Sequence, residues 1–392
     1  MKHLLLSLSL FFLMGGQSQA VKLYLLSNHG NAGDHNQTLG IAAALEKLSH
    51  QKVTLKDLDT KLITPSEIKA EIDKDLLQEK VIVVGSGEGG IEGIKDLSPQ
   101  SNLIICLTSH MFLKDFQDPA LLQKVTFIAL PIHETTSNQE ILKEKLIKTV
   151  GVSHNRQAET ADKIYGEWKK VLPTCKEYLG VVLGGDAPTP SKEIKLFTEH
   201  DATKLATYIA QHAQNACVLV LNGPRTGKYG TDNKEIMTVH RQGQSDSITK
   251  FFQQSLAAQG IKNVKFFDFQ HNNPENKAWV LPYNSFDLVV GAVKATHGKM
   301  LIPGESTSMI SEAIDVLPSG HVLVYENNPM NEVHSAHVTS ELAAGRIAVL
   351  QNYRDVLTPK INAEGPKPSA AQVIAQQLWE TVNQPENVGL KN

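Results

Sequence analysis

Short apolar runs alternate with amphipathic segments along almost the whole chain of 392 residues. Runs of strand length that remain apolar indicate strands covered on both faces of a sheet. Eleven stretches are candidate strands, and several of them are continuously apolar: residues 21–26, 81–84, 103–107, 125–130, 179–183, 217–221, 264–269, 288–293, 300–303, 321–325 and 347–350.

Helical patterns occupy the intervals between these runs. Apolar residues recur at helical spacing over residues 39–48, 158–172, 247–259, 306–317 and 370–382. Thr64, Pro65 and Glu67 form the sequence of a capping box with proline at the first helical position. Gly260 provides a helix stop after residue 259. Strands alternating with helices predict parallel sheets joined by right-handed crossovers, which is the α/β class.

The chain is long enough for two domains. We expect two Rossmann-like, doubly wound parallel-sheet domains facing a cleft, at residues 21–150 and 178–355. A charged helix within residues 151–177 would link them, and residues 356–392 would form a tail that contains a helix.

The first twenty residues have the pattern of a signal peptide. Lys2 and His3 precede an apolar stretch, and Ser18 and Ala20 supply small residues at a cleavage site. We expect export to a periplasm or beyond the cell, with Val21 as the mature N-terminus; a retained membrane tether is the alternative. No later segment of the sequence is apolar for long enough to span a bilayer.

Charge and cysteine content exclude some classes of protein. Removing Lys2 with the leader changes the formal charge from -3 to -4, so the chain does not resemble a general nucleic-acid binder. Cys106, Cys175 and Cys217 are an odd number of cysteines at wide spacings, which predicts neither a disulfide framework nor a zinc site. Cys106 and Cys217 are expected in the core, and no metal site is expected.

Ligands of open parallel sheets bind beyond the carboxyl ends of the strands, so the loops there are the first candidates. In the loop after the first strand, Gly33 lets the backbone approach a ligand, and Asn36 and Gln37 are candidate contacts. Asp34 and His35 are positioned to act as a catalytic pair that removes a proton from a hydroxyl. A solvated turn with an aspartate cap is the alternative.

Gly85, Gly87 and Gly90 match the G-x-G-x-x-G pattern after a strand. A dinucleotide site would also need an acidic residue at the end of the next strand, and that strand ends in Thr108, Ser109 and His110. We therefore interpret the glycines as a wall of the cleft.

The loop at residues 221–228 places Asn222, Arg225 and Thr226 beside glycines, an arrangement that suits a diphosphate. A turn that carries surface cations is the alternative. His133 ends another strand on the same predicted edge and is a further candidate contact.

The stretch GESTSMISEA at residues 304–313 breaks a strand at Gly304 and begins a helix. Backbone amides and the hydroxyls of Ser306, Thr307 and Ser308 suit a phosphate, and Glu312, further along the helix, suits a ribose diol. A plain helix cap is one alternative. A serine hydrolase is another, because residues 304–308 approach a nucleophile elbow and His321, His334 and His337 follow.

Five motifs together resemble the mitochondrial-fission ELM-like family, whose bacterial members are described as predicted nucleoside-diphosphate-sugar epimerases and whose fold resembles GT-B glycosyltransferases. They are GDHNQTLG at residues 33–40, PIHE at 131–134, LGGD at 183–186, PRT at 224–226 and GESTSMISEA at 304–313. The resemblance implies that His35 is the base, that residues 306–308 bind the diphosphate and that Glu312 binds the ribose. Gly184 and Gly185 would border the same site. The degraded arginine loop and the signal peptide depart from the family.

The leading hypothesis is a GT-B-like protein that binds a nucleotide-linked or phosphorylated sugar in its cleft and transfers or epimerises the sugar. The nucleotide sugar is then a substrate, and no cofactor is expected. The alternative is a non-catalytic binding or effector module of the same fold, with a host protein as partner. A secreted serine hydrolase is the third hypothesis.

Overall fold

The computed structural model describes residues 21–49, 53–134, 139–189, 193–213, 215–236, 244–272, 280–358 and 368–384. The expected signal peptide, residues 1–20, lies outside this part of the chain. No helix among the described residues combines the length and the apolar character needed to cross a bilayer.

Strands and helices alternate throughout. The first half contains β1 (Val21–Ser27), α1 (Ala32–Ser49), β2 (Thr54–Asp59), α2 (Pro65–Leu76), β3 (Lys80–Ser86), α3 (Gly87–Gly93), β4 (Leu103–Thr108), α4 (Pro119–Lys124), β5 (Phe127–Pro131), α5 (Gln139–Leu142), β6 (Leu146–Thr149) and α6 (Ala158–Trp168). The second half contains β7 (Tyr178–Val182), β8 (Ala187–Pro188), β9 (Ile194–Lys195), α7 (Glu199–His212), β10 (Cys217–Leu221), α8 (Ser247–Ala258), β11 (Val264–Phe267), α9 (Ser285–Ala295), β12 (Lys299–Pro303), α10 (Thr307–Val316), β13 (Val322–Tyr325), α11 (Glu332–Ala343), β14 (Ala348–Gln351), β15 (Asp355–Leu357) and α12 (Ala370–Asn383).

Each half of the chain builds one doubly wound sheet, as expected for a GT-B-like fold. Within the described residues, the first sheet is entirely parallel, with strand order β2-β1-β3-β4-β5-β6. The second has the order β11-β10-β7-β12-β13-β14-β15, and only β15 is antiparallel. The strand order reverses between β1 and β3 in one sheet and between β7 and β12 in the other. Crevices that bind ligands form at these switch points.

The last helix packs in the first domain rather than standing apart as a tail. Ile374 and Leu378 of α12 are fully buried in one cluster with Leu23 and Ile41. Lys80 Nζ also donates to the carbonyl of Val382, at 2.7 Å. The chain therefore crosses between the domains twice.

One sequence expectation about secondary structure is wrong, and some strands were not predicted. The apolar run at residues 288–293 lies inside helix α9, because a helix buried on every side is as uniformly apolar as a buried strand. Asn284 caps this helix by accepting bonds from the amides of Phe286 and Asp287. Strand β2 escaped prediction because it is a partly exposed edge strand rich in charge.

The cysteine spacing predicted no disulfide framework, and this expectation also needs correction. Cys175 and Cys217 are bonded, with their Cα atoms 5.9 Å apart, while Cys106 is free and buried. The bond ties the segment before β7 to β10. Wide sequence spacing concealed a pair that the parallel sheet brings together.

A buried ionic cluster fixes the first crossover between the domains. Arg346 donates to both carboxylate oxygens of Glu341, at 2.7 and 3.0 Å, and to the carbonyl of Val150 at 3.1 Å. The amide of Val152 donates to Ser311 Oγ of α10. The linker is therefore bonded to the second domain before α6 begins.

Candidate ligand site between the domains

The carboxyl edges of the two sheets meet at a pair of histidines. His133 follows β5 in a 3-10 turn, and its ring lies 5.0 Å from that of His337 on α11. Burial lowers the pKa of His133 to about 4, with help from the neighbouring His110 and His334. Burial likewise lowers the pKa of His337 to about 3. Neutral imidazoles therefore line this part of the domain contact.

Asp34 lies at the switch point of the first sheet. It accepts a bond from Asn31 Nδ2 at 2.6 Å and one from Gln37 Nε2 at 3.5 Å. Its carboxylate fills the space where Gly87, at a φ of 59°, lacks a side chain. Burial raises the pKa of Asp34 above its usual range, and His110 only partly opposes that rise. A raised pKa makes this carboxylate a stronger proton acceptor than an ordinary aspartate.

His35 does not pair with Asp34, which corrects the expected catalytic pair. Its Nε2 lies 2.8 Å from Asp57 Oδ2 on the edge strand β2, whereas Asp34 faces the β3 side. Adjacent helical residues point about 100° apart, so one helix turn could not direct both side chains to one crevice.

The other expected residues of this loop differ in exposure. Gly33 is exposed, Asn36 is partly buried and Gln37 is buried, where its Oε1 accepts from Thr108 Oγ1 at 3.4 Å. Gln37 therefore joins the ends of α1 and β4. Gly85 and Gly90, interpreted from the sequence as a wall of the cleft, pack directly on each other.

The switch point of the second sheet is organised by Glu305, which the sequence interpretation missed. Its carboxylate accepts from the amide of Gly185 and from Asn327 Nδ2, both at 2.7 Å. Burial raises the pKa of this carboxyl group. Gly184 packs against the Phe197 ring and Gly185 packs against Arg225, so a Cβ at either glycine would clash. The GG loop is thus pinned to the loop after β12.

Asn222 and Thr226 are structural residues of the β10 loop. Asn222 accepts from the amide of Phe269 at 2.9 Å and donates to Thr249 Oγ1 at 3.1 Å. Thr226 is fully buried and its Oγ1 accepts from the amide of Gly223. These bonds hold the turn that presents Arg225, whose own side chain is exposed.

The start of helix α10 is open. Gly304 is buried against Met330, and no side chain caps the helix at Ser306. Ser306 and Thr307 are partly buried and Ser308 is exposed. Among the described residues, the helix start therefore has hydroxyls and amides available to a ligand.

Three cationic or titrating groups lie together beside this open start. Arg225 packs on Gly185 and is close enough to Glu305 to oppose the rise of its pKa. Burial lowers the pKa of His334 to about 4, and both Arg225 and Lys195 lower it further. Lys195 was not foreseen, because the short strand β9 that carries it has no recognisable pattern.

Glu312 does not stand free next to the helix start. Arg156, from the interdomain linker, donates to Glu312 Oε2 through Nε at 3.1 Å and Nη2 at 2.9 Å. The same guanidinium donates to Asp287 at 2.7 Å. The carboxylate that sequence resemblance assigned to a ribose is therefore held in an ion-pair triad. Its partner is 156 positions away, which no local pattern reveals.

A hydrolase triad at Ser306 is not formed. His321 lies at the amino end of β13, where its Nδ1 is 2.6 Å from the carbonyl of Gly298. His334 caps α11 by accepting from the amide of Asn331. No hydrogen bond joins the Ser306 hydroxyl to an imidazole in the described part of the chain.

No family model matches the chain, and no curated protein matches it either. Among solved structures, MurG of Acinetobacter baumannii is 10% identical, covering 92% of this chain and 99% of its own, at a TM-score of 0.42. Sucrose-phosphate synthase from Thermosynechococcus elongatus is 11% identical, covering 93% and 90%, at 0.43. A putative UDP-N-acetylglucosamine 2-epimerase from Listeria monocytogenes is 9% identical, covering 93% and 88%, at 0.42. At these scores the likeness carries no argument about activity.

Proposed function

We propose that this chain is an exported protein that binds a nucleotide-linked or phosphorylated sugar between its domains and transfers or epimerises the sugar. One observation carries the proposal. The uncapped start of α10 follows Gly304 and Glu305, which contact Met330 and Gly185, and those two residues in turn contact Lys195 and Arg225. That arrangement suits a diphosphate.

The chemistry of each group supports an anionic ligand. Free amides at a helix start carry partial positive charge and direct their hydrogens at the ligand. Arg225 is exposed and mounted on a bonded turn, so its guanidinium can form two parallel bonds to a phosphate. Glu305 is buried behind the Gly185 amide, where it fixes the loop instead of repelling the anion.

The first domain would supply the proton acceptor. Asp34 is buried with a raised pKa at the opposite switch point, and Gln37 and His110 stand near it. We assign the base role to Asp34 in place of His35, because the His35 imidazole faces Asp57 on the edge strand.

Export of the protein is part of the proposal. The leader pattern of residues 1–20 supports it, and so does the disulfide between Cys175 and Cys217. Disulfides persist in oxidising compartments and are rare in the cytosol.

The second candidate is a binding or effector module that does not turn over its ligand. It is favoured by the engagement of Glu312 with Arg156, which removes the expected ribose ligand from the site. In this case a nucleotide or sugar phosphate still binds at α10, and only catalysis is missing.

The test is a calorimetric titration of the mature chain with UDP, GDP and their sugars. Replacing Arg225 by alanine should weaken binding by roughly 10- to 150-fold, the value of a charge-assisted bond. Lys262→Ala removes an exposed cation at the amino edge of the second sheet, before β11, and should leave affinity unchanged. Absence of binding at millimolar ligand in the unmodified protein would refute the proposal.

A second measurement separates the two candidates. Asp34→Asn keeps the size of the side chain but removes the proton acceptor. If the protein is an enzyme, this variant should bind ligand normally and lose turnover of the nucleotide sugar. Detectable binding with no turnover by the unmodified protein, under any acceptor tried, would select the binding module.

A further inference from the structure

Two imidazoles and one carboxylate come together at the β2 edge of the first sheet. His29 lies in the loop after β1, His35 in the first turn of α1 and Asp57 on β2. His29 Nε2 is 3.1 Å from Asp57 Oδ1, and His35 Nε2 is 2.8 Å from Asp57 Oδ2. The two imidazole rings stack with centroids 4.0 Å apart and an interplanar angle of 17°.

The spacing of these atoms suits a metal ion. Zinc binds imidazole nitrogen and carboxylate oxygen at about 2.0–2.2 Å in tetrahedral geometry, which places neighbouring donors roughly 3.3 Å apart. The two nitrogen-to-oxygen distances are 3.1 and 2.8 Å, and one ligand atom from each residue lies within 4.8 Å of the other two. To bind one ion, the two imidazole nitrogens, which contact different oxygens of Asp57, would turn toward a shared position.

The backbone holds these side chains from independent elements. The amide of His29 donates to Asp59 Oδ1 at 3.3 Å, and that oxygen also accepts from the amide of Lys61 at 3.0 Å. The carbonyl of His35 accepts from Thr38 Oγ1 at 2.9 Å. These bonds fix the backbone that carries His29 and His35.

We propose that His29, His35 and Asp57 bind one divalent transition-metal ion, with Zn²⁺ as the preferred ion. Two imidazoles and a carboxylate match the ligand types of zinc sites that have three protein ligands. The three side chains are 30%, 23% and 28% exposed, so a fourth position is accessible to solvent. The ion would clamp the edge strand β2 to the start of α1. The inference does not depend on the proposed function.

The experiment uses the mature chain without a polyhistidine tag, because a tag would itself bind the metal. Zn²⁺ binding is measured by calorimetry, and Co²⁺ is added separately to obtain a visible absorption band characteristic of its coordination. We expect about one equivalent of Zn²⁺ at micromolar affinity or better, and a rise of the melting temperature with metal.

The variants His29→Ala, His35→Ala and Asp57→Asn should each bind Zn²⁺ at least tenfold more weakly and lose the Co²⁺ band. Asp57→Asn preserves side-chain volume, so circular dichroism should confirm that it remains folded. His200→Ala removes an exposed histidine of α7 and serves as the matched control, with unchanged binding. Equal Zn²⁺ affinity in all four variants, or no binding by the unmodified chain, would overturn the proposal.

Discussion

Replacing Arg346 by methionine tests the ionic cluster that joins the linker to the second domain. The side chains of Arg346 and Glu341 are only 6% and 0% exposed, so water cannot replace the lost guanidinium. Breaking one partner of such a buried pair costs about 3–5 kcal/mol. The lost bond to the carbonyl of Val150 adds about 1 kcal/mol. We therefore expect a loss of about 4–6 kcal/mol in the free energy of unfolding.

The assay is urea unfolding at pH 7 followed by circular dichroism, with a double-mutant cycle. Arg346→Met with Glu341→Met should regain most of the loss, because two apolar groups can replace a buried pair at little cost. Asp162→Asn breaks the exposed pair with Lys294 and should change stability by less than about 1 kcal/mol. A similarly small loss in Arg346→Met, or a double variant no better than the single, would refute this account.

The pH dependence of the single variant provides a further check. Burial already raises the pKa of Glu341, and the guanidinium opposes that rise. Without Arg346 the pKa of Glu341 should rise further. When the pKa of a carboxyl group is higher in the folded state, its contribution to stability is fully present below the unfolded pKa of about 4.3. That contribution is lost as the pH rises toward the folded pKa. The deficit of the variant should therefore shrink as the pH falls from 7 toward 5.

Three further predictions concern other parts of the molecule. Burial lowers the pKa of His133 to about 4 and of His337 to about 3, so the free energy of unfolding should fall as the pH drops from about 6.5 toward 4. A pH titration of the urea midpoint checks this, and His337→Leu should flatten the curve. Replacing Cys175 and Cys217 by serine should cost about 4 kcal/mol, the chain entropy of a loop with a sequence separation of 42, measured by thermal unfolding of both proteins in the absence of reductant. Thr64→Ala removes the capping box of α2 and should cost about 1 kcal/mol, whereas Thr64→Ser should retain most of it in the same unfolding assay.

Local signals predicted most of the fold because they depend on the chain alone. The capping box at Thr64 and the stop at Gly260 are found where the sequence indicated. Uniformly apolar runs identified the central strands, since both of their faces are covered by helices. The same signal failed at residues 288–293, where a helix is buried on every side and loses its amphipathic period.

The candidate site was predictable only in part. Strand ends in a parallel sheet share one edge, so Gly185, Arg225 and Ser306 could be grouped from their positions in the chain. Their partners could not be foreseen. Glu305 was interpreted only as one position of a possible elbow, and its role appears in the bonds to Gly185 and Asn327. Asp34 and His35 are adjacent in sequence, but successive helical residues point about 100° apart, so the two side chains bind different partners.

The amino-acid order by itself determined the alternation of strands and helices, their approximate ends, and hence two doubly wound sheets. Those properties follow from hydrophobic period, turn chemistry and caps, which act over a few residues. Only the tertiary structure decided which charges became partners. Arg156 reaches Glu312 and Arg346 reaches Val150 because the first crossover runs against the second domain. Whether two buried charges pair depends on their distance in the folded protein, and their separation along the chain does not specify that distance.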